Sequence, residues 1–168
     1  MDIIPGIVFF ILIVFLVTMI LASSAPWLPT RRKDMERVLK LATIAPGEVF
    51  YDLGCGDGRL VVEASRAGAK AVGLDISLMS YFMSLVRVAA ARSRAKIAFK
   101  NLFRQNLSDA DIVYLFLTPP AMPKIKNKLD SELEKGARVI TYAFAIPGVQ
   151  LVAADQPPNR QSIYLYRI

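Results

Sequence analysis

The feature that most constrains this chain is the stretch Val49-Phe50-Tyr51-Asp52-Leu53-Gly54-Cys55-Gly56-Asp57-Gly58-Arg59-Leu60. An apolar run from Val49 to Leu53 breaks into glycines at alternate positions, and Leu60, Val61 and Ala64 then resume at helical spacing. Strand, tight turn and helix therefore follow one another. Glycine admits positive φ and lets a ligand lie against bare main chain. A helix opening at Asp57 or Gly58 adds N–H donors that the helix itself leaves uncommitted. A sharp turn alone would also explain the glycines, with Asp75 as a helix N-cap.

Two nucleotide-type ligands use turns of this kind, and residue 59 separates them. A dinucleotide fingerprint, GxGxxG, needs its third glycine where Arg59 stands, and a bulky side chain there spoils close packing of helix on strand. What is present instead is Asp52, two residues before the first glycine, and a second acid, Asp75, closing the next apolar run Ala71-Val72-Gly73-Leu74. This arrangement resembles the S-adenosylmethionine (SAM) site of class I methyltransferases. The resemblance implies that Asp75 takes the two ribose hydroxyls and that Asp52 lies beside the methionyl amine, with Gly54, Cys55, Gly56 and Gly58 as the turn against the cofactor.

The rest of the chain alternates apolar runs with helical patterns, which implies a parallel sheet with crossover helices. Asp34 to Ala45 carries Met35, Val38, Leu39 and Ala42 at helical spacing, and Pro46-Gly47 ends it. Lys70 to Asp75 reads as the second strand. Ser77 is placed to cap a helix running to about Arg94, with Leu78, Phe82, Leu85, Val86 and Ala89 inward and Met79 and Met83 as core filler. Ala95–Lys100 is a third strand and Asp111–Leu117 a fourth, buried on both faces. Pro123 to Lys135 is a helix with Ile125, Leu129 and Leu133 inward and Lys124, Lys126, Lys128, Asp130, Glu132 and Glu134 on a solvated face. Ala137–Ala143 is strand five. Val149–Ala154 and Ser162–Ile168 lie too close in sequence for a crossover helix and predict an antiparallel hairpin at the sheet edge. The expected fold is thus α/β, a Rossmann-like class I methyltransferase sheet with flanking helices and a C-terminal hairpin.

Before this domain, residues 7 to 22 are apolar, without charge or breaker; with Ile3 to Gly6 they reach about 30 Å as a helix, a bilayer's hydrocarbon thickness. The reading is a transmembrane anchor over 1–24, a proline-containing linker and basic flank over 25–33, and a catalytic domain over 34–168. A cleaved signal peptide is the alternative, with Ala22-Ser23-Ser24-Ala25 as its site, although basic residues are missing from its start. Arg31, Arg32 and Lys33 after the run place the catalytic domain on the cytoplasmic side of a single-pass membrane protein. Beyond residue 30 the chain holds 21 basic residues against 13 acids, net +8. That charge suits anionic lipid headgroups, with nucleic acid as rival, although no clustered aromatic and basic stripe is present. The single Cys55 excludes an internal disulfide, and with no His anywhere a zinc site or catalytic imidazole has little support, so no metal is expected.

A narrower resemblance covers roughly residues 25 to 168. Pro26-Trp27-Leu28-Pro29-Thr30, the Tyr51 to Arg59 block, Asn101-Leu102-Phe103, Leu129 to Val139, and Phe144 with Pro147-Gly148 look like the small protein lysine methyltransferases of the seven-strand class. That group includes archaeal broad-specificity enzymes and the mitochondrial enzymes acting on the ATP synthase c-subunit and the adenine nucleotide translocase. The resemblance implies that Asn101, with Leu102, meets the adenine; a turn-forming Asn is the plain alternative. The loops of amine-modifying relatives read Asn-Pro-Pro-Tyr or Asp-Pro-Pro-Tyr, whereas Thr118-Pro119-Pro120-Ala121 stands here. Without a carbonyl or carboxylate to hold a planar NH2, adenine and glutamine are disfavoured as acceptors.

A lysine acceptor must first lose its proton, which from a pKa of about 10.4 costs about 4.6 kcal/mol at pH 7. Burial and the sulfonium charge both favour the neutral amine, and alignment of amine, methyl and sulfur supplies the rate. Trp27, Tyr142 and Phe144 are candidate walls of a lysine channel, with Thr118 orienting the nitrogen; ordinary packing would account for the aromatics too. The expected function is a membrane-anchored protein lysine methyltransferase. The alternatives are a SAM-dependent enzyme acting on a lipid or small molecule at the bilayer surface, and a non-catalytic SAM-binding module.

Overall fold

The computed structural model of the chain describes Gly6, Ile7, Phe10, Ile11, Ile13 and residues 30–168. No helix among the described residues is long and apolar enough to cross a membrane. This overturns the single-pass placement and the cytoplasmic orientation drawn from Arg31, Arg32 and Lys33. Most of residues 7–22, and the linker with Trp27, lie outside the described residues.

From Thr30 the elements run α1 (Arg32–Ala42), β1 (Val49–Leu53), α2 (Arg59–Arg66), β2 (Lys70–Asp75), α3 (Leu78–Ala90) and β3 (Lys96–Phe99), then β4 (Ile112–Leu115), α4 (Met122–Glu132), β5 (Arg138–Tyr142), β6 (Leu151–Asp155) and β7 (Ile163–Arg167). They build one seven-stranded sheet in the order β3-β2-β1-β4-β5-β7-β6. β1 to β5 are parallel, and β7 runs antiparallel to both β5 and β6. The hairpin expected from the last two runs is present, with a register shift between Leu151 and Ala153. Strand order reverses between β1 and β4, which opens a crevice beyond their carboxyl ends.

Alternation along each strand sorts the core into two layers. Phe50, Ile112, Tyr114, Ile140 and Tyr142 face α1 and α2, meeting Val38, Ala42, Leu60, Val61 and Ala64. Leu53, Val113, Leu115 and Val139 face the other way, onto Met122, Ile125 and Leu129 of α4. Both faces of β4 are therefore covered, and its four residues are all buried.

The helices depart from the sequence expectations in instructive places. α1 starts two residues earlier and stops at Thr43, whose left-handed φ of 45° turns the chain before Pro46-Gly47 is reached. α4 ends at Glu132, and Lys128, expected on a solvated face, is buried with its Nζ donating to the Gln105 carbonyl and to Glu132. Glu132 in turn accepts from the Leu107 amide, so the pair fastens α4 to the loop before β4.

The largest reversal is α3. Ser77 does cap it, accepting from the Ser80 amide at 3.3 Å. Its inward residues, however, are Ser80 and Ser84, while Leu78, Phe82, Leu85, Val86 and Ala89 point outward. Gly58 explains this: a Cβ there would lie 2.8 Å from the Ser84 Cβ, so turn and helix approach too closely for a large side chain between them.

α1 is locked to the far end of the sheet by a buried acid. Asp34 accepts from the Tyr142 hydroxyl at 2.7 Å and from Arg37 at 2.8 Å, and Arg37 also grips Asp155 at 2.7 Å. Burial by itself would raise the Asp34 pKa, but the Tyr142 bond and the Arg37 charge hold it below the ordinary carboxylate value. Asp34→Asn keeps an acceptor for Tyr142 and loses the charge facing Arg37. The variant is expected to be about 2 kcal/mol less stable at neutral pH, in line with a charged hydrogen bond. Because the folded pKa is depressed, that gap is full above the ordinary Asp pKa and closes as pH falls below it. Urea unfolding of both proteins at neutral pH and near pH 3 checks the size and the sign.

Candidate active site

The crevice over β1, β2, β4 and β5 is built from the glycine turn upward. Gly54, Gly56 and Gly58 all take positive φ, at 96°, 55° and 72°. Both the Gly54 and Cys55 amides donate to the Leu74 carbonyl, at 2.8 and 2.9 Å, folding the exit of β1 over the end of β2. Asp75 then faces the turn: its Oδ2 accepts from the Gly56 amide at 2.9 Å and its Oδ1 from the Ser77 amide at 2.8 Å. The two acids picked out in the sequence thus flank one turn.

Their environments differ. Asp52 is buried and sits opposite Tyr114 in the β1–β4 register. Burial first, then the charges of Asp75 and Asp57, push its pKa up to about 8, and no described residue donates a hydrogen bond to its carboxylate. Asp57, inside the turn and equally buried, behaves oppositely. Burial pushes it up, but Arg59, at 2.7 Å, and Arg87 of α3, at 2.6 Å, hold it below the ordinary range. Arg87 also donates to the Asp57 carbonyl at 2.9 Å. Sequence reasoning did not single out Asp57; the signal was an acid between two glycines with arginine two residues on. Cys55 is buried, and burial first and then Asp52 raise its thiol pKa, which disfavours the thiolate.

On the far side, Asn101 caps the short 3-10 turn Leu102–Arg104, its side chain accepting from the Phe103 amide at 2.9 Å. The carboxyl ends of β2 and β3 carry exposed Ile76 and Phe99, an apolar rim that the sequence expectations did not include.

At the β4–β5 end, Thr118 is exposed and leads into the 3-10 turn Pro119–Ala121, with no hydrogen bond from its own hydroxyl. Tyr142 is buried, its ring edge-on to Phe116 at 4.8 Å and its hydroxyl bound to Asp34. Phe144 is 38% exposed. Between them Ala143 has φ 72°, a conformation that a non-glycine residue adopts under strain and that tends to cluster at functional sites. Thr30 spans the two halves: its hydroxyl shares a 2.7 Å hydrogen bond with Tyr114, and its carbonyl accepts from Arg59 at 3.4 Å. The structure therefore gathers Asp52, Gly54, Cys55, Gly56, Gly58 and Asp75 at one turn, with Asn101 and Leu102 past β3, Thr118 past β4, Tyr142 as the last residue of β5 and Phe144 beyond it. Trp27 lies outside the described residues.

Two surface hollows lie away from this crevice. One, of about 520 Å³, is at the amino ends of the strands around Asp111 and Arg138; the other, of about 550 Å³, lies over Arg37 and Asp155. In both, charged side chains are already paired with one another.

The turn fits a sulfonium nucleoside. Asp52 is a buried carboxyl to which no described residue donates, a place where an ammonium would favour the ionised form, and Asp75 closes the same turn. The ANTKMT methyltransferase domain family matches residues 52–153. A protein-lysine N-methyltransferase of Saccharolobus islandicus is 32% identical over 150 residues, covering 85% of this chain and 93% of that protein. The adenine nucleotide translocase lysine N-methyltransferase of Mus musculus is 33% identical over 138 residues, 79% of this chain and 59% of that protein. Among solved structures, an RNA methyltransferase of Salinibacter ruber in complex with S-adenosyl-L-homocysteine superposes with a TM-score of 0.80 at 28% identity, over 84% of this chain and 94% of that one. With the glycine turn, the two flanking acids and the seven-stranded sheet in place, the chain belongs to the ANTKMT methyltransferase domain family and is a SAM-dependent methyltransferase.

Proposed function

We propose that the chain methylates lysine side chains of proteins. The observation that carries this reading is the relation to the Saccharolobus protein-lysine N-methyltransferase, which runs through nearly the whole of that protein and includes the turn and the β4–β5 end. The loop Thr118-Pro119-Pro120-Ala121 agrees, since it offers no side-chain amide or acid to grip a planar NH2.

In this reading Asp75 binds the ribose hydroxyls, Asp52 faces the methionyl ammonium, and Asn101 and Leu102 border the adenine. SAM supplies an electrophilic methyl on a sulfonium. The chain's task is to hold a neutral amine in line with it. Thr118, whose hydroxyl makes no hydrogen bond among the described residues, would accept from that amine, with Phe144 as an aromatic wall. Tyr142 is a support for this wall, since its hydroxyl is committed to Asp34.

The site offers no imidazole, so the lysine proton leaves to solvent while burial favours the neutral form. Asp57 carries the paired arginines, while no described residue brings a cation to Asp52 or Asp75; a cationic ligand beside Asp52 would draw off its proton and meet a carboxylate.

Two outcomes test the reading. Asp75→Ala is expected to weaken SAM binding about 100-fold, as loss of two charge-assisted hydrogen bonds implies. It is also expected to abolish transfer of labelled methyl from SAM to lysine; label on RNA with none on protein would exclude the protein acceptor. The second outcome concerns pH. Asp52 at about 8 is protonated in the free site at neutral pH, and an ammonium beside it expels that proton. SAM affinity should therefore rise with pH, by up to about tenfold per unit, and level off above the Asp52 pKa. Titration calorimetry in buffers of different ionisation heat measures the released proton. Asp52→Asn should bind more weakly and release none.

A further inference from the structure

α3 carries an apolar surface that the fold does not use. Met79 is 71% exposed, Phe82 60% and Val86 69%, with Leu78 and Leu85 beside them. Met79, Phe82, Val86 and Ala89 follow one another at intervals of three, four and three residues, the seam along which one helix packs against another. The inward side of α3 is satisfied without them, through Ser80 and Ser84 and through Arg87 on Asp57. Methionine beside phenylalanine on such a seam suits a surface that accommodates a partner helix.

The surrounding charge says what kind of partner. From Ile76 to Ser108 the chain has six basic residues and no acid. Arg87 is taken by Asp57. Arg92, Arg94, Lys96, Lys100 and Arg104 are exposed and, among the described residues, form no ion pair. A second copy of this face would bring like charges together, which is unfavourable. A helix with acids beside its apolar stripe complements it. The apolar surface is also continuous in sequence with Ile76 and leads to Phe99, the exposed rim of the cofactor crevice.

We infer that the outward face of α3 docks an α-helix of the protein acceptor, one whose apolar stripe is flanked by Asp or Glu. This rests on the protein lysine reading above, and the test keeps the two apart. Three probes are used with the full chain. Two are helical peptides with Leu at both seam positions of each heptad, flanked in one by Glu and in the other by Arg, each ending in a flexible tail with one lysine. The third is a short unstructured peptide with one lysine.

Fluorescence anisotropy, which needs no turnover, should show the Glu-flanked helix binding at least about tenfold tighter than the Arg-flanked one, with the difference shrinking in high salt. Phe82→Ser with Val86→Ser should remove that binding and raise KM for the Glu-flanked peptide about tenfold, leaving its kcat and all constants for the unstructured peptide unchanged. Arg92→Glu with Arg94→Glu provides a second variant, whose preference should turn to the Arg-flanked helix. Equal binding of both helices by wild type and variants overturns the proposal. So does a change confined to self-association in sedimentation velocity, or to binding of phosphatidylglycerol vesicles. Absence of methyl transfer to every lysine, with helix binding intact, instead rejects the lysine reading.

Discussion

The site depends on how three carboxylates are kept within one turn. Asp57 is neutralised by Arg59 and Arg87, Asp75 by two backbone amides, and Asp52 by neither. Burying a carboxylate to which no described residue donates is unfavourable, and burial with the charges of Asp75 and Asp57 raises the Asp52 pKa to about 8, so the group holds its proton at neutral pH. A cation placed beside Asp52 would favour its ionised form. The arginines on Asp57 hold that acid ionised, so the acids around one turn differ in charge.

The same clamp dictates how α3 packs. Arg87 reaches back to both the side chain and the carbonyl of Asp57, which draws the helix onto the turn at Gly58. Only small residues fit at that contact, and Ser84 fills it. The apolar residues of α3, set at helical spacing, are thereby displaced to the outside. An exposed apolar face is here a consequence of close approach elsewhere on the same helix.

This also marks how far the sequence could be read. The strand, glycine turn and helix from Val49 to Leu60, the parallel order, and the terminal hairpin follow from period and turn chemistry, which are local. The association of Asp52 with Asp75 about one turn comes instead from the resemblance to the SAM site of class I methyltransferases, since the two acids lie on different strands. Periodicity identifies that α3 has an apolar stripe, but it carries no sign telling which way the stripe faces; the usual assumption that it faces inward fails because of Gly58, which belongs to a different part of the chain. Lys128 escaped for a related reason, since its partner, the Gln105 carbonyl, belongs to another element. At the active site, the sequence brought Tyr142 forward as a channel wall, yet Asp34, which fixes its hydroxyl, gave no signal beyond an acid near the start of a helix.

Asp34 and Thr30 connect these observations. Thr30 lies just before α1 and Asp34 in its first turn, and both are buried against tyrosines of the sheet, Tyr114 and Tyr142. Tyr114 stands next to Asp52 in register, and its own hydroxyl pKa is raised by burial and then by Asp52, so it remains a neutral donor or acceptor beside the unpaired acid. The segment from Thr30 to Asp34 therefore ties the glycine turn, through Arg59 and Tyr114, to the carboxyl end of β5 at Tyr142. A displacement of this segment would be felt at both ends at once, since the residues that orient Tyr114 and Tyr142 are only four positions apart in sequence. The glycine turn and the carboxyl end of β5 are in this way held by one short stretch of chain, ahead of the sheet that carries them both.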